Sequence, residues 1–356
     1  MGVGVGGEIG HSAVIPRLSI GVPVYNGQRY LRATLDSLLA QTFTDFELII
    51  CDNASTDGTE AICREYLARN PRVRYIRHDH NLGPAPNYNS CFAHARGELF
   101  KWAAADDIVE PTFVQRCIDM LDSDPTLASV YTRTVLINEE GHRLGAYDWD
   151  LELDHPSPVV RFARLVFVNH RHHNAHEFWG VTRSSVLRNT PMKGSFPSAD
   201  RILMSWWVLQ GKMGRIESYL FQNREHSQRS QRAIANRDFR PGSILSRWIG
   251  GGPTPPYEWW DPSLKGKIVF PEWRWVWEYL RAARLTPLPL MQKFGCYAAM
   301  AGLYVKFFPR LARDLILAAE LALYRLFGVG TPRPRPGTRP ARRTPEFPMP
   351  PRRKAA

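Results

Sequence analysis

The first third of the chain alternates between short apolar segments and longer amphipathic ones. Four segments have the length and the β-branched, apolar composition of buried strands: 18–26, 46–55, 73–79 and 98–107. Three segments between them place apolar residues at helical spacing: 27–43, 56–71 and 87–97. Strand and helix alternating at roughly 30-residue spacing predict a parallel sheet with right-handed crossovers and flanking helices.

Polar residues stand at the ends of three of these predicted strands. They are Asn26, Asp52 and Asp106, the last in the stretch ELFKWAAADDIVEP. Ligands of open parallel sheets bind beyond the carboxyl ends of the strands. We therefore expect these three positions, far apart in sequence, to line one edge of the sheet.

The remainder of the chain is less regular. One further strand is predicted at 128–138, and helices are predicted at 155–169 and 199–212. The segment from about Arg229 to Pro287 is rich in Trp and Pro and receives no assignment. Residues 288–327 are typical of one or two amphipathic helices.

Composition predicts four regions along the chain. The predicted regions are a flexible lead-in at 1–16, a catalytic domain at 17–230, a Trp/Pro-rich and helical extension at 231–328, and a Pro/Arg-rich tail at 329–356. The tail has the composition of a disordered segment.

Most of the positive charge belongs to that tail. The chain carries a formal net charge of +12, and Thr331 to Ala356 hold seven Arg, one Lys and one Glu, a net +7. The other 330 residues therefore carry +5, and no nucleic-acid partner is expected.

Cysteine usage and the amino terminus indicate the compartment. The five cysteines are odd in number and lack CxxC spacing, so we expect neither a zinc site nor a disulfide framework. The first residues lack a basic segment followed by a long apolar one, so no signal peptide is predicted. A cytoplasmic protein is expected, peripheral at the inner face of the cell membrane if its carboxyl-terminal helices touch lipid.

Three stretches carry a resemblance to a known family. They are LSIGVPVYNGQRYLRATLDSLLAQTFTDFELIICDNASTDGT, NLGPAPNYNSCFAHARGELFKWAAADDIVEP and SADRILMSWWVLQG. Their order and spacing resemble the inverting nucleotide-sugar glycosyltransferases of family 2 type over residues 17 to about 230. The resemblance implies a GT-A fold: a Rossmann-like α/β, mostly parallel sheet flanked by helices, here followed by a helical extension and a disordered tail.

The resemblance also implies a hexosyltransferase-like activity. A sugar would pass from a nucleotide-diphosphate donor to a hydroxyl of a glycan or lipid-linked acceptor, as in polysaccharide biosynthesis at the cell envelope. A divalent cation, Mn²⁺ or Mg²⁺, would assist departure of the diphosphate. A carboxylate would remove the acceptor proton.

Four positions match the family's nucleotide contacts. Pro23, Val24 and Tyr25 occupy the loop that contacts base and ribose in relatives, and Asp52 matches the Asp that contacts the base. For Asp52 the alternative is an Asp-Asn turn that caps the following helix.

The family's acidic motif, usually Asp-x-Asp, appears here as Ala-Ala-Asp-Asp. Ala104 stands where the first Asp is usual, Asp106 matches the metal-coordinating Asp, and Asp107 lies just beyond it. Asp106 and Asp107 are therefore expected as metal ligands, with Asp106 also facing the nucleotide sugar. The alternative is a solvated loop, or an N-cap before a helix at Pro111.

Two further site residues follow from the resemblance. The family's catalytic acidic pair appears as Ala199 and Asp200, so Asp200 is expected as the base, although Ser198 and Asp200 are also suited to cap a helix. His226 lies near a position where relatives carry a His that closes over the diphosphate.

A histidine-rich segment, NHRHHNAHE, admits a metal-cluster interpretation. Its members, His170, His172, His173 and His176, lack Cys partners and a regular i, i+4 pair on a clear helix. A polar loop near the acceptor cleft is the favoured interpretation.

Other functions remain open at this point. A catalytically inactive relative is suggested by Ala104 and Ala199. A nucleotidyltransferase would need a Gly-rich basic loop after the first strand, which VPVYNGQRY lacks. The carboxyl-terminal helices either pack on the protein body or lie at a membrane interface, where the basic tail would attract anionic lipid.

Overall fold

Short apolar segments form the strands of one sheet in the computed structural model, which describes residues 15–168, 173–227, 257 and 260–327. In chain order the strands are β1 (Leu18–Val24), β2 (Phe46–Asp52), β3 (Val73–Arg77), β4 (Leu99–Trp102), β5 (Ile108–Val109), β6 (Leu127–Ile137), β7 (Arg143–Tyr147), β8 (Val181–Arg183) and β9 (Lys212–Arg224).

Amphipathic segments form helices on both faces of this sheet. In chain order they are α1 (Leu31–Leu39), α2 (Thr59–Arg69), α3 (Pro84–Ala93), α4 (Phe113–Ser123), α5 (Pro158–Phe167), α6 (Ser184–Arg188), α7 (Ala199–Gln210), α8 (Pro271–Leu285) and α9 (Leu290–Phe327).

The sheet has a parallel half and a mixed half. Its strand order is β3-β2-β1-β4-β8-β6-β9-β5, with β7 paired to β6. The first four strands are parallel, as the strand–helix alternation predicts. In the other half β6 and β9 are parallel, whereas β8 pairs antiparallel with β4 and β6, and β5 pairs antiparallel with β9. The expected α/β fold is confirmed, with antiparallel pairs added in its second half.

The apolar core divides between the two faces of the sheet. On one face α1, α2 and α4 pack against the strands, and on the other face α3, α5 and α7 do so. A stack of aromatic rings fills the second face: Trp102 lies 5.1 Å from Phe178 and 6.3 Å from Trp207, with nearly parallel planes. This stack supports the carboxyl end of β4.

The helical extension packs on the second face as well. α9 contacts α5 and α8, and α8 contacts α7. The unassigned Trp/Pro-rich region contains α8, which begins at Pro271, where a proline suits the first turn of a helix. Residues 1–14 of the predicted lead-in, all of 228–256 and the predicted tail lie outside the described residues, so the predicted domain boundaries stay predictions.

Candidate functional site

The loops that follow β1 and β2 are tied into one unit. Asn26 N donates to Ser55 Oγ at 2.9 Å, and Thr56 N donates to Asn26 Oδ1 at 2.8 Å. Asn26 has a φ of 52°, a left-handed conformation that Asn tolerates better than most residues. Asn26 therefore lies at the predicted edge and holds two strand ends together.

The three expected residues at the end of β1 differ in exposure. Pro23 and Val24 are buried within the strand, and the Val24 carbonyl accepts from Asn53 N at 2.9 Å. Tyr25 has 49% of its surface exposed. A nucleotide at this edge would meet the side chain of Tyr25 and not those of Pro23 and Val24, because the latter face the interior.

Asp52 is fully buried and its carboxylate is engaged by the protein. Oδ1 accepts from Ser55 N at 2.8 Å, while Oδ2 accepts from Tyr75 Oη at 2.8 Å and from Arg77 Nη1 at 2.6 Å. The bond to Ser55 N closes a turn after β2, but it does not cap α2, whose N-cap is Gly58, so the capping alternative is not seen. The bonds to Tyr75 and Arg77 join β2 to β3. A direct contact to a base stays a prediction that would require one of these bonds to be displaced.

Asp106 is the carboxylate that meets the histidine. Its Oδ2 lies 2.8 Å from His226 Nε2, and the Asp106 side chain is 30% exposed. Asp106 follows β4 and His226 follows β9, so two different strands bring the pair together at the carboxyl edge. Asp106 does not cap a helix, because β5 follows it and α4 begins only at Phe113.

Asp107 points into the protein. It is 5% exposed, Asn223 Nδ2 lies 3.1 Å from both of its oxygens, and Arg224 N donates to Oδ1 at 2.8 Å. These contacts engage both oxygens from the protein side, and the metal contact expected for Asp107 stays a prediction. Its carboxylate fixes β9 to the acidic motif.

The end of β9 holds this motif through residues that sequence reasoning missed. Arg224 Nε donates to the Asp106 carbonyl at 2.9 Å, and the Arg224 guanidinium lies 4.9 Å from the centroid of the Tyr30 ring. The Tyr30 ring lies 4.8 Å from the ring of His226. Only the pairing of β9 with β5 and β6 could have identified Asn223 and Arg224 as partners.

Asp200 lies at the start of α7 and is partly exposed. Its Oδ1 accepts from the backbone N of Arg201 at 2.8 Å, and Ser198, at φ 57°, makes no side-chain capping bond to described residues. The capping alternative is therefore not seen in its usual form, in which the side chain bonds two or three residues ahead.

Negative charges act on Tyr88 in addition to its burial. Burial raises the pKa of Tyr88, and the charges of Asp106, Asp200 and Asp107 raise it further. The Tyr88 carbonyl accepts a hydrogen bond from Trp102 Nε1 at 3.0 Å. This bond places Tyr88 beside the aromatic stack.

Lys193 adds a cation to this cluster that the sequence did not indicate. Its Nζ lies 4.6 Å from the centroid of the Tyr88 ring. Burial lowers the pKa of Lys193, and the charge of Asp200 opposes that shift. Its backbone is fixed to α3, because Lys193 N donates to Asn89 Oδ1 at 3.0 Å and Asn89 Nδ2 donates to the Lys193 carbonyl at 2.9 Å.

Asp106 and His226 fit a divalent cation that shares its ligands with a bound substrate. A carboxylate oxygen and an imidazole nitrogen are both ligands of first-row divalent metals. His226 Nδ1 is buried and has no hydrogen-bond partner among the residues that the structure describes. Within those residues no group of three His, Cys, Asp or Glu side chains is arranged for a metal, so a substrate would have to supply further ligands.

The histidine-rich segment does not form a metal cluster in its described part. His173 Nε2 lies 2.9 Å from Glu177 Oε1, and both side chains are buried. The charge of His173 helps to hold the pKa of Glu177 low against its burial. His170 and His172 lie outside the described residues.

Comparison with known proteins identifies the fold and the family. Residues 19–190 match the model of glycosyl transferase family 2. Chondroitin synthase of Escherichia coli is 38% identical over 138 residues, which are 38% of this chain and 20% of that protein. Hyaluronan synthase of Pasteurella multocida is 36% identical over 143 residues, 40% of this chain and 15% of that protein.

The match covers a larger share of a shorter relative. The putative glycosyltransferase EpsE of Bacillus subtilis is 32% identical over 129 residues, 36% of this chain and 46% of that protein. The chain thus spans less than half the length of each of these three relatives.

Among solved structures, S. aureus TarS 1-349 shares the fold. In complex with UDP-GlcNAc it superposes with a TM-score of 0.52 at 15% identity, covering 87% of this chain and 92% of that one. At this identity the likeness shows the fold alone. Residues 19–190, just under half of the chain, form a domain that matches glycosyl transferase family 2.

Proposed function

We propose that this protein transfers a sugar from a nucleotide-diphosphate donor to a hydroxyl of a glycan or lipid-linked acceptor, by a single displacement that inverts the anomeric carbon. One observation carries the proposal. Asp106, which follows β4, lies 2.8 Å from His226, which follows β9, at the carboxyl edge of the sheet, and Asp200 is partly exposed at the start of α7. Two carboxylates with different surroundings are suited to two different tasks, one at the diphosphate and one at the acceptor.

Asp106 and His226 would hold a divalent cation, Mn²⁺ or Mg²⁺. Bound there, the cation would neutralise the negative charge that grows on the departing diphosphate. Asp107 would act indirectly, by fixing Asn223 and the backbone of Arg224, and through them the position of Asp106.

Asp200 would act as the general base toward the acceptor hydroxyl. Its carboxylate is partly exposed at the first turn of α7, and the neighbouring Ala199 is buried. Ala199 replaces the first acidic residue of the pair that relatives carry, so Asp200 alone would remove the proton. The charge of Asp200 opposes the lowering of the Lys193 pKa that burial causes.

Asp52 and Tyr25 would serve the nucleotide in different ways. Tyr25 is exposed and would contact the base or ribose. Asp52 would position Tyr75 and Arg77 at the same edge.

The acceptor and the compartment belong to the proposal too. Relatives named as chondroitin and hyaluronan synthases favour a glycan acceptor, although the chain spans only a fraction of their length. All five cysteines are free and buried, which fits a reducing, cytoplasmic setting. No helix in the described part of the chain is long and apolar enough to cross a bilayer.

The test is release and transfer from a panel of UDP-, GDP- and dTDP-sugars, with UDP-GlcNAc included because TarS binds it. Wild type, Asp106→Asn and Asp200→Asn are compared with and without Mn²⁺. We expect Mn²⁺-dependent release of one nucleoside diphosphate, lost in Asp106→Asn. Asp200→Asn should bind that donor with unchanged affinity and fail to transfer to an acceptor glycan. Absence of any donor binding to wild type would favour the catalytically inactive relative.

A further inference from the structure

The outer face of α9 is apolar along its whole length. The helix has 38 residues and is about 57 Å long. Large apolar side chains on this face are between 49% and 73% exposed: Phe294, Val305, Phe308, Leu315, Leu323 and Leu326. Exposed apolar surface of this extent marks an interaction site in a folded protein. We call this set the α9 stripe.

The opposite face of α9 is packed on the protein. Cys296, Met300 and Leu303 are buried, and Gly295 lies against Val159 of α5. On the other flank Trp273 Nε1 of α8 donates to the Leu311 carbonyl at 3.0 Å. Among the described residues, α5 and α8 hold the helix from both sides and leave the stripe exposed.

The stripe has no charge within it. At 100° per residue its six side chains span an arc of about 80° around α9. Between Leu290 and Phe327 that arc contains no Asp, Glu, Lys, Arg or His.

Basic residues flank the stripe. Lys293 and Lys306 lie on α9 on either side of the apolar arc, with Glu320 between the arc and the Lys306 side, and Arg284 is exposed at the end of α8. Arg310 lies on the opposite side of α9. Residues 271–327 contain eight basic and four acidic side chains, and a segment of net +7 follows in sequence after Thr331. The surroundings of the stripe therefore attract an anionic surface.

A second copy of the chain is the competing occupant. Phe294, Ala298, Ala301 and Val305 continue at alternating steps of four and three residues, which is heptad spacing. Two copies would, however, bring two basic borders together, since each chain carries a net charge of +12. Repulsion between like charges favours an anionic lipid surface over a second copy.

We propose that the α9 stripe docks on the surface of an anionic lipid bilayer, with α9 lying in the plane of the interface. The apolar side chains enter the boundary between head groups and acyl chains, and the bordering Lys and Arg side chains contact lipid phosphates. The stripe sits one helix away from the candidate base, because Trp275 Nε1 of α8 donates to the Pro197 carbonyl at 2.8 Å, three residues before Asp200. The docking itself does not depend on the proposed activity.

The test uses flotation of the full chain with two kinds of vesicle, phosphatidylcholine alone and equal parts of phosphatidylcholine and phosphatidylglycerol. The test variant combines Phe294→Glu, Val305→Glu and Leu315→Glu. The matched control combines Ile15→Glu, Leu67→Glu and Leu144→Glu, three exposed apolar residues outside α8 and α9. Both variants change the net charge equally and keep the basic tail, so a difference between them reports the stripe alone.

We expect wild type and control to float with the anionic vesicles, with affinities within about twofold of each other, and to bind phosphatidylcholine at least tenfold more weakly. The stripe variant should lose at least tenfold in affinity for anionic vesicles while keeping its circular dichroism spectrum. Equal binding of stripe variant and control would overturn the proposal, since the tail alone would then account for binding. A wild-type dimer in sedimentation velocity that the stripe variant abolishes, without vesicle binding, would assign the stripe to a second copy and overturn it as well.

Discussion

The carboxylate of Asp106 lies 2.8 Å from the imidazole of His226, 120 residues later in the chain. This contact exists because β9 runs beside β5 and ends next to the acidic motif. It places an oxygen and a nitrogen ligand at the carboxyl edge of the sheet, where ligands of such folds bind. The proposed metal site follows from this one relationship.

His226→Asn should weaken metal binding without unfolding the protein. The amide keeps a polar group near Asp106 but removes the imidazole ligand, so the Mn²⁺ concentration at half-maximal donor binding should rise at least about tenfold. Titration of Mn²⁺ against donor binding measures the shift. Tyr30→Phe is the control, since it retains the ring beside His226. An unchanged Mn²⁺ midpoint in His226→Asn would remove His226 from the proposed site.

Asp107→Asn should affect stability and not the metal. An amide oxygen in place of Oδ1 can still accept from Asn223 and from Arg224 N, but the amide NH2 then replaces Oδ2 and faces Asn223 Nδ2, so two buried donors meet without an acceptor between them. The expected loss is about 1–3 kcal/mol in the free energy of unfolding, measured with urea. The Mn²⁺ midpoint should stay within twofold of wild type. A large rise in that midpoint at unchanged stability would instead restore Asp107 as a metal ligand.

Asp52→Asn should destabilise the protein more than Tyr75→Phe. The first change disturbs the bonds to Tyr75 and Arg77 together, about 1–3 kcal/mol, and the second removes a single hydrogen bond, about 1 kcal/mol. Chemical unfolding of both variants measures which one loses more free energy of unfolding. If Asp52→Asn is as stable as wild type but no longer binds the donor, the base contact predicted from the family is favoured over the positioning role.

Asp314 should make stability depend on pH in a defined direction. Burial raises the pKa of Asp314 from 3.8 to about 6. A carboxyl whose folded pKa exceeds its unfolded pKa stabilises the fold when protonated, so this contribution is complete below pH 4 and is lost as the pH rises through about 6. Its size is at most about 3 kcal/mol.

Asp314→Asn removes that dependence, because the amide oxygen can still accept from Glu272 N, as Asp314 Oδ2 does at 2.6 Å. The variant should therefore gain in melting temperature relative to wild type between pH 5 and pH 8. Asp119→Asn, at an exposed position on α4, serves as the control and should show no such gain. A constant difference between Asp314→Asn and wild type across that range would contradict the assignment.

The first four strands could be predicted because each is a short segment of mostly apolar, aromatic or β-branched residues that ends before turn residues. β1 and β2 begin where the sequence predicts and end two to three residues earlier. α3 begins at Pro84, ahead of the predicted start at residue 87, because proline suits the first turn of a helix. β9 was missed, since its Lys, Arg, Glu and Gln residues hide the alternation and only its pairing with β5 and β6 specifies a strand.

The candidate site, like the fold, could be predicted only in part from the sequence. Strand ends indicated Asp106, and the family resemblance indicated His226 and Asp200. The partners of Asp52 and Asp107 could not be read from the sequence, because Tyr75, Arg77 and Asn223 reach them through strand register. Lys193 was missed because it precedes the acidic motif in a segment with no regular pattern.

The most direct test is calorimetric titration of the donor identified by the panel into wild type and Asp106→Asn, each with Mn²⁺ and with EDTA. The account predicts that Mn²⁺ strengthens donor binding to wild type at least tenfold and has no effect on Asp106→Asn, whose melting temperature matches wild type. Equal enhancement by Mn²⁺ in both proteins would contradict the central claim, because the cation would then be held without Asp106.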